Sequence, residues 1–244
     1  MISIILPIRN EAKYIKQTLE SILYQKNIEQ EIEILIVDGM STDNTRDIII
    51  KYQKDHPNIH LIDNPEKIVS TGFNRALNES KGDIIIRVDG HCEIAPDYIQ
   101  KCLECLEKIH ADCVGGATEH VASGLIGKSI KIAQSSFFGV GGVSFRKKVE
   151  KGEYVDTLAF GAYKREVFDQ LGGYDEELVR NQDDEFNFRM IQNDRKIWLD
   201  PSIKSTYTQR NSFMGLFKQY FQYGFYKVRV MQKRRGIASW RHVV

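Results

Sequence analysis

Asp89 and His91 stand two residues apart at the end of the run Ile84-Ile85-Ile86-Arg87-Val88, and a carboxylate and an imidazole so spaced can share one divalent cation. In extended geometry the two side chains lie on one face, and Gly90 between them lets another backbone or a ligand come close. Phosphate oxygens would complete such a cation's shell. Alone, a D-x-H triplet is more commonly a turn aspartate and a surface histidine, so its weight depends on the rest of the chain. Asp38 ends a second apolar run, where it could accept from a nucleobase imide or a ribose hydroxyl, or serve a turn. Asp183 lies in Gln182-Asp183-Asp184-Glu185, at the start of a helical pattern whose macrodipole alone favours acids. Facing a cleft, one of these acids could take the proton of an attacking hydroxyl.

Those side chains need a scaffold. Residues 2–8 read as a strand, and 12–25 as a helix with Ile15, Leu19, Ile22 and Leu23 on one face. Residues 32–37 form the second strand, and Ser41-Thr42-Asp43 cap a helix carrying Ile48, Ile49 and Tyr52. A third strand at 59–62, a helix at 70–79 and the strand before Asp89 complete a βαβαβαβ alternation. This order predicts an α/β fold with a doubly wound, mixed but mostly parallel sheet and flanking helices. Ligands bind such sheets beyond the carboxyl ends of the strands, which puts Asp38 and Asp89 on one edge.

Farther on, Pro96-Asp97 opens a helix with Ile99, Cys102, Leu103, Leu106 and Ile109 inward, and 111–121 reads as a strand. Residues 123–152, with Gly139-Val140-Gly141-Gly142, read as a mobile substrate-side loop. A helix at 183–192 should turn Phe186, Met190 and Ile191 inward, and 197–199 should be a short strand stopped by Pro201. Residues 213–231 form a helix carrying Phe213, Phe217, Tyr220, Phe221, Tyr223, Phe225 and Tyr226.

The 244 residues, 42% hydrophobic and 27% charged, suit one large globular α/β domain, or one and a half. No run of about 18 apolar residues occurs, and the first residues carry no basic segment or cleavage site, so a cytosolic location is expected. Cys92, Cys102, Cys105 and Cys113 lack the spacing of a metal site and read as buried free thiols. Net charge is +1, unevenly spread: nine of the 34 basic residues and none of the 33 acids lie from 201 to 244. The remainder therefore holds 25 against 33, a balance of −8. Such a tail points to an anionic partner, a membrane surface or a phosphate-bearing substrate. No nucleic-acid module accompanies it, so nucleic acid is not expected as a partner.

Taken in order, Leu6-Pro7-Ile8-Arg9-Asn10-Glu11, Ile36 to Thr45, Arg87-Val88-Asp89-Gly90-His91, Gly161 to Phe168, Gly172-Gly173-Tyr174-Asp175 and Gln182-Asp183 resemble family 2 glycosyltransferases of GT-A fold. The tail from Arg210-x-Ser212 to Tyr223-Gly224 is most similar to the succinoglycan-type exopolysaccharide group. The resemblance implies an inverting transfer of a hexose from a UDP-sugar to a saccharide acceptor, expected to be lipid-linked. Pro7 and Glu11 would frame the nucleotide pocket, Asp38 would read the uracil, and Gly72 would let the loop approach the donor. Asp89 would support ribose and metal, with His91 as a second ligand to Mn2+ or Mg2+, and Asp183 would be the base. Residues 1–205 would be the catalytic domain, with 1–121 as the nucleotide-sugar half and 122–205 as the acceptor half. Residues 206–244 would form a membrane-proximal basic helical segment.

Three departures stand out. His91 replaces the family's second Asp, Gln182 replaces the usual Glu before the base, and Tyr207 occupies the approximate place of a metal-binding histidine. A nitrogen ligand shifts preference towards manganese. These departures keep open a non-catalytic nucleotide-sugar-binding protein. A sugar-1-phosphate nucleotidyltransferase or a dehydrogenase would need a glycine-rich loop after the first strand, and Pro7-Ile8-Arg9-Asn10-Glu11 is not one. The aromatic helix has two readings. It packs into the core, or it lies on lipid with Lys227, Arg229, Lys233, Arg234 and Arg235 meeting phosphates, its first half docked and its second half on the membrane. The chain would then be peripheral to, or anchored at, the inner face of the cell membrane, ending just before hydrophobic segments. A C-terminal helix pair could equally pack between subunits, which leaves a homodimer open.

Overall fold

A computed structural model describes residues 1–121, 124–135, 150–158, 160–208 and 212–234. Arg210, Gly139 to Gly142, Arg235 and the stretch from Trp240 to the end lie outside them. The first strand, β1 (Ile2–Ile8), is buried along its whole length, as its β-branched run requires. Helix α1 (Ile15–Leu23) turns Ile15, Leu19 and Ile22 inward at helical spacing. Then follow β2 (Ile32–Asp38), α2 (Thr45–Asp55), β3 (Ile59–Asp63), α3 (Val69–Glu79) and β4 (Ile84–Arg87). In space the order is β3-β2-β1-β4, all parallel, so β1 lies between the strands that end near Asp38 and Asp89.

The remaining elements are β5 (Cys92–Ile94), α4 (Tyr98–Ile109), β6 (Cys113–Val121), α5 (Gly124–Ser135), β7 (Glu153–Tyr154), β8 (Ala162–Lys164), α6 (Arg165–Leu171), α7 (Gln182–Gln192), β9 (Ile197–Thr208) and α8 (Phe213–Arg234). The sheet continues past β4 as β8-β6-β9-β5, with β7 also on β9. Its long ladders are parallel, β6 on β9 included, while β8, β5 and β7 join through short antiparallel ones. The doubly wound, mostly parallel sheet is therefore observed.

Several expectations change. Residues 124–135 form α5 rather than a loop. Ile191 is exposed, unlike Phe186 and Met190. The strand starting at Ile197 does not stop at Pro201, because the β6–β9 register slips between Gly115 and Ala117. There the ladder needs no N–H from a proline, and a side chain on Gly116 would strike the Ile203 carbonyl. Since β9 reaches Thr208 within the catalytic sheet, a domain boundary at 205 would cut a strand. All four cysteines are buried and free.

Candidate active site

The loops after β1 and β2 are stitched into one rim. Asn10, held at φ 56, donates its backbone N–H to Ser41 Oγ at 2.8 Å and accepts the Thr42 N–H on Oδ1 at 2.8 Å. Glu11 N–H bonds Thr45 Oγ1 at 2.8 Å, and Ala12 N–H bonds Asp43 at 3.2 Å. Burial pushes the Asp43 carboxyl up, but the hydrogen bonds from Thr45 and Ala12 outweigh it and hold the group below its ordinary range. Asp43 also receives the Thr45 N–H at 3.0 Å, so capping comes from this residue rather than from Asn44.

Asp38 lies within this rim. Its side chain is 0% exposed. Oδ1 accepts from Ser41 Oγ at 2.5 Å, and Oδ2 from the Ser41 N–H at 3.0 Å and Arg46 Nη1 at 2.8 Å. Its carboxylate thereby fixes the rim. Gly72 is also closely packed. It lies in the first turn of α3, where an added Cβ would stand 2.9 Å from Asn64 Nδ2 and 3.4 Å from Val37, so the close approach it permits is to the protein itself. Pro7 is buried inside β1, opposite Val37, and can shape the edge only through the backbone.

Asp89 and His91 do not share the face of an extended strand. β4 ends at Arg87, and the chain turns so that the Cys92 N–H bonds the Asp89 carbonyl at 3.0 Å. Gly90 is needed at that turn because a Cβ would stand 2.8 Å from both Ile8 Cγ2 and Glu11 Cγ. His91 Nδ1 lies 3.0 Å from Glu11 Oε1, and its ring meets Tyr207 edge-on at 4.6 Å between centroids. Tyr207 thus does reach this site, through the pairing of β9 with β5.

Asp89 answers instead to Arg87. This guanidinium, buried within an otherwise apolar strand, also reaches the Tyr174 hydroxyl at 3.4 Å. Burial would lower its pKa, yet the charges of Asp89, Tyr174 and Asp183 hold it well above the ordinary value. Asp183, half-buried in the first turn of α7, is the fourth member of this cluster. Its pKa is raised, first by burial and then by the adjacent Asp184 carboxylate, against the pull of Arg87. A carboxylate with raised proton affinity can take the proton of a hydroxyl brought to it, as a general base does. The fold therefore brings Asp89 and Asp183 together, 94 positions apart in the chain, around a cation that sequence reasoning left without a role. The signal was present: an arginine inside a β-branched buried run requires a buried counter-charge.

Among the described residues, no three His, Cys, Asp or Glu side chains gather closely enough to hold a metal ion unaided. Asp89 uses Oδ1 for Arg87 and its side chain is 22% exposed. That donor set suits a cation bound mainly by diphosphate oxygens, with Asp89 as its protein ligand.

The model for the family described as "Glycosyl transferase family 2" matches residues 3–172, most of the chain. The chain belongs to glycosyl transferase family 2. This family 2 glycosyltransferase is 30% identical over 243 residues to the succinoglycan biosynthesis protein ExoA of Rhizobium meliloti, covering 99% of this chain and 73% of that one. It is 31% identical over 240 residues to the dolichyl N-acetyl-alpha-D-glucosaminyl phosphate 3-beta-D-2,3-diacetamido-2,3-dideoxy-beta-D-glucuronosyltransferase of Methanococcus voltae, covering 95% and 74%. Among solved structures, the mannosyltransferase PcManGT from Pyrobaculum calidifontis in complex with GDP-Man and Mn2+ superposes with TM-score 0.70 at 19% identity, over 96% of this chain and 63% of that one. TarS 1-349 of S. aureus in complex with UDP superposes with TM-score 0.66 at 21% identity, over 85% and 60%. The chain thus spans less than two thirds of either solved chain, and these likenesses establish the GT-A fold. Family membership sets aside the nucleotidyltransferase and dehydrogenase alternatives.

The family 2 chain ends its described part in α8, whose placement reverses the expected one. Lys227 pairs with Asp184 at 2.7 Å, Lys233 with Asp175 at 2.6 Å, and Arg234 with Glu185 at 2.6 Å, so these three cations face the domain rather than lipid. The second half of α8 is docked. Phe213, Met214, Phe217, Phe221, Phe225 and Val228 lie on the opposite side and are exposed, which also corrects the core reading. No helix among the described residues is long and apolar enough to cross a membrane.

Proposed function

We propose that the chain transfers a hexose from a UDP-sugar to a hydroxyl of a lipid-linked saccharide, with inversion, in polysaccharide biosynthesis. The observation that carries this reading is the clustering of Asp89, Arg87 and Asp183 at the carboxyl edge of the parallel strands. Asp183 takes the proton of the acceptor hydroxyl. The oxygen attacks the anomeric carbon from the face opposite the nucleotide, a new C–O bond forms, and the bond to the diphosphate breaks with its electron pair leaving on UDP. Asp89, held by Arg87, orients the ribose and diphosphate end of the donor. A divalent cation bound there, Mn2+ or Mg2+, would neutralise charge on the departing diphosphate. His91, tied to Glu11, is close enough in the chain to join it as a ligand or to hold Glu11 against the nucleotide.

The UDP complex of TarS supports the donor class, and the dolichyl phosphate in the name of the Methanococcus relative supports a lipid-linked acceptor. The exposed aromatic side of α8 supports a peripheral position on the membrane, where such an acceptor resides. Retention of Asp183 in a site that raises its proton affinity favours an active enzyme over a binding protein.

Calorimetric titration with UDP and with GDP, each with Mn2+, Mg2+ or EDTA, tests the donor site on the unmodified chain and on Asp89→Ala. Cation-dependent UDP binding that is lost in Asp89→Ala is expected. If UDP fails to bind under every condition, the donor assignment is wrong.

A further inference from the structure

Helix α8 runs past the first turn of α7 and fastens to it by its polar side. Lys227 Nζ stands 2.7 Å from Asp184 Oδ2, and Thr157 Oγ1 reaches Asp184 Oδ1 at 3.5 Å. Asn181, the residue that caps α7 at φ 62, donates Nδ2 to the Tyr223 carbonyl at 3.0 Å. Arg180 reaches Gln222 at 3.2 Å. Asp184 in turn gives its backbone N–H to Asp183 Oδ1 at 3.0 Å. A side chain on α8 is thereby connected to Asp183 through a single intervening residue.

We propose that Lys227 is a positioning residue for sugar transfer: by holding Asp184 against α8, it sets both the place and the charge surroundings of Asp183. The proposal rests on the reading of Asp183 as the base. The groups that face Asp183 are Asp184 on its own helix, Arg87 and Asp89 from the end of β4, Tyr174 from the segment after α6, and, through Asp184, Lys227 from α8. Arg87 is shared with Asp89, so Lys227 is the cation that balances Asp184. Without it, the charge of Asp184 beside Asp183 loses its ion-pair partner, and Asp183 must bind its proton more tightly. Because Lys227 lies on the helix whose far side is aromatic and exposed, a shift of α8 would reach the base by this route.

The test is a carboxyl carbon-13 NMR titration of the full chain labelled at aspartate, with the Asp183 signal assigned by its loss in Asp183→Asn. In Lys227→Met the Asp183 midpoint should rise by about 1 pH unit, the lower end of what a charge a few ångströms away produces. Lys227→Arg should restore it, and Asp184→Asn should lower it below that of the unmodified chain. An unchanged midpoint in a folded Lys227→Met, with folding checked by thermal unfolding, overturns the proposal. If Lys227→Met does not fold, a midpoint that fails to drop in Asp184→Asn overturns it equally. The titration does not depend on turnover. Sugar transfer that survives Asp183→Asn would sink the base assignment while leaving the coupling to Lys227 in place.

Discussion

Arg87 places two donors on a single oxygen of Asp89, Nε at 3.2 Å and Nη2 at 3.0 Å, and leaves the second carboxylate oxygen for a ligand. The same guanidinium sits 5.7 Å from the centre of the Tyr174 ring and faces the charge of Asp183. One buried cation thus orients the Asp89 carboxylate and limits the proton affinity of Asp183.

Arg87→Met should therefore be costly. It strands two carboxylates in a poorly hydrated site, and losing one partner of such a buried pair costs about 3–5 kcal/mol. Urea unfolding should show a loss in that range. Arg87→Lys should recover part of it, because an ammonium restores the charge but not the two-donor fork.

Asp183→Asn should lower sugar transfer by at least about 100-fold, the smaller end for a positioned general base, while UDP binding persists. Its effect on stability has the opposite sign. The folded-state pKa of Asp183 is raised, so the native chain holds this proton more tightly than the unfolded one. That contribution is fully present below the unfolded carboxylate value of about 3.9 and is lost as pH rises through the folded value. At neutral pH the Asn variant should melt at a higher temperature than the unmodified chain, with the gain shrinking as pH falls towards 4. A variant less stable at pH 7 would show that Asp183 is not under that strain.

Gly72→Ala separates packing from ligand approach. Its Cβ would press on Asn64 Nδ2 at 2.9 Å, and over-packing of this kind costs about 1–3 kcal/mol. Chemical denaturation should register that loss, and calorimetry should find UDP affinity within about twofold of the unmodified chain, since the added methyl meets Asn64 and Val37 of the protein itself. A large loss of UDP affinity at unchanged stability would return Gly72 to the donor pocket.

Phe217 and Phe221 are 68% and 67% exposed, one turn apart on the outward side of α8. Replacing both by serine should leave thermal stability unchanged, because neither is part of a packed cluster. It should reduce co-sedimentation with vesicles containing anionic phospholipid by about tenfold or more, as loss of two buried aromatic side chains at an interface implies. Equal sedimentation of the two proteins would count against a membrane role for this face.

Much of the architecture was legible. The continuous apolar runs in 2–8 and 32–37, the helical spacing in 15–23, and the carboxylates at strand ends specify a parallel sheet with a ligand edge, because burial of β-branched runs leaves few alternatives. Helix α5 was hidden by its glycines and lysines, and the second half of β9 by Pro201, which is harmless only where the register slips. The type and place of Asp38 suit either base recognition or a turn, and its hydrogen bonds to Ser41 and Arg46 follow from loop placement that no local pattern specifies.

By itself the sequence determined the family and the α/β order and singled out Asp89 and Asp183 as candidates, since these follow from local periodicity and from motifs contiguous in the chain. Tertiary structure alone decided that Arg87 joins those two carboxylates, that Glu11 rather than a shared strand face meets His91, and that α8 turns its charges inward and its aromatic rings outward. Apart from Arg87 with Asp89, two positions away, each of these relationships joins residues far apart in sequence. Which oppositely charged groups meet depends on strand order and helix placement, and no local pattern encodes that choice.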